Sequence, residues 1–80
     1  KDFLPKQITV VPNQTGWLIS NPNNPIKRIN LYNLYGQLVG AYKPNTDNYT
    51  IENEQLTNDI NFIELFYGQQ RTVIKLYKSN

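Results

Sequence analysis

The chain contains no cysteine, no histidine and no methionine. Without cysteine there are no disulfides, no thiolate nucleophiles and no cysteine-based metal sites. Small extracellular domains of animals usually carry disulfides, so that class is disfavoured. Without histidine the commonest general base and the commonest transition-metal ligand are both missing. No apolar run approaches the about 18 residues of a membrane span, and no N-terminal signal peptide is visible. The sequence opens on Lys1-Asp2-Phe3 with no initiator methionine, which suggests a fragment or a processed product. The formal charge of +2 is too small to argue for nucleic acid.

What is present is a single small domain's worth of chain. Eighty residues bury roughly 60% of the surface their unfolded state exposes. Six Tyr, three Phe and one Trp supply much of the apolar burial, because aromatics bury more surface per residue than aliphatics. Asparagine is frequent, as in Asn21-Pro22-Asn23-Asn24-Pro25 and again at 45, 48, 53, 58 and 61. Its side chain bonds nearby backbone groups and favours turns.

Residues 1–7 read as a linker from an upstream passenger, and 8–80 as the domain. Ile8-Thr9-Val10-Val11 is a first β run, ended by Pro12-Asn13. Gly16-Trp17-Leu18-Ile19-Ser20 is a second, closed by the Asn/Pro cluster. Residues 26–33 place Ile29 and Leu31 on one face, with Lys27 and Asn30 polar. Tyr35-Gly36-Gln37 predicts a tight turn into Leu38-Val39-Gly40-Ala41-Tyr42. Tyr49-Thr50-Ile51 is a further short strand.

Residues 61–67 carry two patterns. Leu56, Ile60, Ile63 and Tyr67 share one face of a helix. The same stretch alternates as a strand, with Ile63 and Leu65 on one side and Phe62, Glu64 and Phe66 on the other. Dense Ile and Phe and a following Gly68 turn favour the strand. The last run, 72–78, sets Ile74 and Leu76 against Val73, Lys75 and Tyr77. About seven short antiparallel strands with no long helix predict an all-β fold, an Ig-like β-sandwich.

The chemistry-bearing residues are few. Asp47, Glu52, Glu54, Asp59 and Glu64 are the only acids outside the linker, and a solvated face explains them better than a catalytic pair. Ser20 and Ser79 have no histidine partner, so no serine triad exists. Asp47, Glu52 and Glu54 offer oxygen atoms to a cation, but the spaced acid-and-glycine pattern of a calcium loop is absent. No enzyme activity, no metal and no cofactor are expected. Trp17 and the tyrosines at 32, 35, 42 and 49 suit a sugar-stacking platform or a plain core, the core being the simpler use. Phe62 and Phe66, outward beside Glu64, form a candidate partner face that would suit a weak homodimer. Arg71, Lys75 and Lys78 make a basic end; lysine on an edge strand also blocks aggregation.

The order of these elements resembles the type A C-terminal sorting domain of the type IX secretion system of Bacteroidetes. The likeness runs over 8–78: Val11-Pro12-Asn13, a strand at 17–20, and the run from Ile26-Lys27-Arg28-Ile29 through Tyr35-Gly36-Gln37-Leu38-Val39. Leu56-Thr57-Asn58-Asp59-Ile60-Asn61 follows, then Val73-Ile74-Lys75-Leu76-Tyr77-Lys78. Gly36 falls at the family's turn glycine. Gln14, Asp59 and Asn61 depart from its proline, glycine and tyrosine. The resemblance implies a non-catalytic export address. Its passenger would reach the periplasm, cross the outer membrane through the translocon, and arrive at the cell surface or outside the cell. It implies recognition by the translocon through the terminal strand (Arg71, Ile74, Lys75, Leu76 and Lys78), and cleavage by a sortase-like peptidase in or before residues 1–7. Two rival readings of the same residues are a carbohydrate-binding module and an Ig-like spacer of a surface protein.

Overall fold

The computed structural model describes residues 8–22, 24–57 and 60–78. Linker residues 1–7 and Asp59 lie outside them. Seven strands follow one another: β1 (Thr9–Pro12), β2 (Gly16–Ser20), β3 (Ile26–Tyr32), β4 (Leu38–Tyr42), β5 (Asn48–Glu52), β6 (Ile60–Tyr67) and β7 (Gln70–Tyr77). The only other regular element among the described residues is one 3-10 turn at Asn53–Gln55. The alternation of Ile63 and Leu65 with Phe62, Glu64 and Phe66 is realised as a strand, not as a helix.

The strands form two antiparallel sheets, ordered β1-β2-β5 and β4-β3-β6-β7, so the fold is a small all-β sandwich. Period-two patterning turns one side of each sheet inward. Ile19 and Ile51 from the three-stranded sheet meet Ile29, Leu31, Ile63, Leu65 and Leu76 from the four-stranded one, all essentially inaccessible. Ile26 and Leu56 complete this core.

Two irregularities break strict alternation. In β3, Ile26 pairs with Tyr67 and Arg28 with Phe66, so Lys27 is an extra residue. That bulge lets both Ile26 and Ile29, three apart, face the core. In β4, Gly40 pairs with Leu31 and Leu38 with Tyr32, so Val39 is extra. By contrast, β6 and β7 pair without interruption from Ile60↔Tyr77 to Tyr67↔Gln70.

The turns are set by asparagine and glycine. Asn33 Oδ1 accepts from the N–H groups of Tyr35 and Gln37 at 2.9 and 3.0 Å, folding the β3–β4 connection on itself. Gly36 closes it at φ +81°, a conformation a side chain resists. Gly68 takes φ +57° at the first central position of the two-residue β6–β7 turn, where such hairpins favour glycine. The one buried polar residue of β6, Asn61, is satisfied locally. Its Oδ1 accepts from the Thr57 N–H at 3.0 Å, and its Nδ2 donates to the Thr57 carbonyl at 2.8 Å.

Candidate functional site

The terminal hairpin β6–β7 supplies both an outward face and an edge. Because Ile63, Leu65 and Leu76 point inward, Phe62, Glu64 and Phe66 of β6 and Arg71, Val73, Lys75 and Tyr77 of β7 point outward. The register sets Phe62 beside Lys75, Glu64 beside Val73 and Phe66 beside Arg71. On the other flank Asn30 stands opposite Glu64, and Tyr32 opposite Phe62.

Glu64 is the polar centre of this face. Its Oε1 accepts from the Tyr32 hydroxyl at 2.8 Å and from Asn30 Nδ2 at 3.2 Å. Arg71 Nε lies 2.6 Å from Oε2. The side chain of Glu64 is only 15% exposed, against 60% for Arg71. The Tyr32 and Asn30 hydrogen bonds and the Arg71 charge hold the Glu64 carboxyl below the usual carboxylate range, while partial desolvation opposes them. The same contact works in reverse on Tyr32. Donation to Glu64, with desolvation and the negative charge beside it, raises the phenol above its ordinary value. Glu64 was legible in the sequence only as an acid on an outward face. Its three donors come from residues 30, 32 and 71, which only the sheet order brings together.

The two phenylalanines stand on either side of Glu64, each half-buried. The Arg28 guanidinium stacks 4.4 Å from the Phe66 ring centroid. Lys75 Nζ lies 5.8 Å from the Tyr77 ring. Of the basic residues, Arg71, Lys75 and Lys78 are all exposed. Ile74 is half-buried against the core, and Leu76 is 1% exposed within it. Leu76, expected among the recognition residues, lies on the inward side of β7, so in the folded domain only its main chain is near the surface of the strand.

The edge follows from ladder geometry. In an antiparallel hairpin closed by a two-residue turn, successive pairs alternate between bonded and non-bonded. Tyr67 and Gln70 form the closing bonded pair. The N–H and C=O of Arg71, Val73, Lys75 and Tyr77 therefore point away from β6. Among the described residues no strand pairs with that side. Among the described residues, the Tyr77 carbonyl accepts the Trp17 indole N–H at 2.8 Å.

The aromatic residues do not assemble a platform. Trp17, Tyr42 and Tyr49 pack against the core, the two tyrosines 6.0 Å apart. Tyr32 is engaged by Glu64 on the outer face of the four-stranded sheet. Tyr35 lies in the β3–β4 connection, 80% exposed, and Leu34 and Leu38 are exposed as well. Among the described residues no three of His, Cys, Asp and Glu gather as a metal site, and no helix is long and apolar enough to cross a membrane.

A scan of the chain against known protein families finds no match, and no curated protein matches it.

Proposed function

We propose that the chain is a non-catalytic C-terminal sorting domain that carries a passenger across the outer membrane through the type IX secretion system. The observation that carries this reading is the ordered series of motifs over 8–78, closing on the basic strand Val73-Ile74-Lys75-Leu76-Tyr77-Lys78. Several features support it. Gly36, at the family's turn glycine, holds a positive φ. The final strand is an outer strand of its sheet, with Arg71 and Lys75 turned outward. Recognition then falls to Arg71, Lys75 and Lys78, with Ile74 behind them. In this reading the translocon and its peptidase are the partners, and the domain passes through the periplasm before the cell surface. Phe62 and Phe66 remain a candidate self-association face.

A reporter fusion tests this. Residues 1–80 are placed at the C-terminus of a periplasmic reporter in a host with a type IX system. Surface or medium activity is the expected result. Removing residues 71–80, or changing Lys75 and Lys78 together to Ala, is expected to keep the reporter inside. Export that survives removal of 71–80 overturns the reading.

A further inference from the structure

The four sheet edges of the domain are not equivalent. β1 spans four residues and ends in Pro12, which has no N–H to offer. β5 spans five residues and runs straight into the 3-10 turn. β4 is broken by the extra residue Val39, a device that turns an edge away from further pairing. β7 alone offers eight residues in unbroken register. Its outward N–H and C=O groups at 71, 73 and 75 form an evenly spaced row, and the Trp17 bond to Tyr77 ends that row on one side.

The charge beside this row is of one sign. Arg71 and Lys75 flank Val73, which is 52% exposed, and Lys78 and Arg28 lie beyond. The one acid on this face, Glu64, is already held by Tyr32, Asn30 and the Nε of Arg71. The Arg71 guanidinium carries further N–H donors besides the Nε in that contact. A second copy of β7 would oppose like charges and is disfavoured. An acidic strand is complementary.

We propose that the free edge of β7 takes up an extended, acid-flanked segment of a partner as a fifth strand, paired antiparallel along residues 71–75. The segment carries one acid opposite Lys75, one opposite Arg71, and an apolar or aromatic residue between them opposite Val73. Its alternate residues lie over Ile74 and Thr72, extending the inner face. Backbone bonds supply affinity and the two acids supply choice. The proposal rests on the sorting reading only in taking β7 as the recognised element.

The test uses the whole 80-residue chain and a blocked, dye-labelled peptide, Thr-Asp-Val-Tyr-Val-Asp-Thr, followed by fluorescence anisotropy. Saturable binding that weakens with salt is expected. Replacing both Asp with Lys should weaken it about ten-fold, from two lost cross-strand charge pairs. N-methylation of the central Tyr, whose N–H meets Val73, should abolish binding; N-methylation of the first Val, whose N–H faces away, should leave it standing. Val73→Pro removes an outward N–H without touching the β6 ladder and should also abolish binding. If that variant fails to fold by circular dichroism, the two N-methylated peptides decide. No binding by the acidic peptide, or equal binding by the lysine peptide or by the peptide N-methylated at Tyr, overturns the proposal. Binding without reporter export sinks the sorting reading and leaves strand addition standing; export without binding does the reverse.

Discussion

The indole N–H of Trp17 donates to the main-chain carbonyl of Tyr77 at 2.8 Å, joining residues 60 positions apart. Trp17 belongs to the middle strand of one sheet, and Tyr77 to an edge strand of the other. A partly buried indole needs an acceptor, and Tyr77 has a carbonyl turned out of its own ladder. One side chain thus fastens the last turn of the final strand to the opposite layer.

Trp17→Phe keeps an aromatic ring and removes the donor. The expected loss is about 1 kcal/mol, a fall in melting temperature of roughly 4–8 °C for a domain of this size. Amide exchange should quicken most at Leu76, beside the released carbonyl. A loss spread evenly over all strands would show that the bond is not local in effect.

Glu64 makes stability depend on pH in a defined direction. Its carboxyl titrates below its ordinary value in the folded state. Its contribution is therefore complete above the unfolded value, which is about 4.3, and is lost as pH falls through the lower folded value. Glu64→Gln should flatten the urea midpoint against pH in the acid range. Tyr32 acts oppositely: its raised value means its contribution fades as pH climbs past about 10. An unchanged acid limb in Glu64→Gln would remove Glu64 as its source.

Asn61 tests the buried amide. Its side chain pairs with both backbone groups of Thr57 and is inaccessible to solvent. Asn61→Leu keeps the branched shape but, besides crowding the site, leaves the Thr57 N–H and C=O without these partners, at a cost of about 2–4 kcal/mol in urea unfolding. Asn61→Asp loses the donor and buries a carboxyl, so its loss should deepen as pH rises above 5. Near-neutral behaviour of Asn61→Leu would mean that water replaces the amide.

Two glycines separate strain from collision. At Gly36 nothing lies within reach of an added β-carbon, so Gly36→Ala should cost only the positive φ, about 1 kcal/mol. At Gly16 an added β-carbon meets the Ile51 carbonyl on the paired strand. Gly16→Ala should cost several-fold more and spread β2 from β5, seen as faster exchange in both strands. Equal losses at the two sites would contradict this assignment.

The strands were legible because period-two patterning survives in β6 and β7, where Ile63, Leu65, Ile74 and Leu76 alternate with charged and aromatic neighbours. The inward pairing of Ile26 with Ile29 was not, since it needs the bulge at Lys27, and strict alternation has no place for an extra residue. Asn61 read as a departure from a motif, because a buried polar side chain is explained only by the partner that satisfies it. The outward placement of Lys75 followed from parity alone, and the same parity carries to Arg71; Lys78, past the end of β7, is exposed without it. The Glu64 hub and the Trp17–Tyr77 bond did not follow from parity, as each joins residues from different strands across the fold.

The bulge at Val39 has a consequence for stoichiometry. A sheet that could accept a neighbour at both ends would pass strands from copy to copy and polymerise, as heterologous contacts do when they fail to close. Here one end of the four-stranded sheet is kinked and the other is straight. If a strand is added at β7 as proposed, the kinked β4 edge offers the next copy no matching straight register, so growth along this sheet is disfavoured.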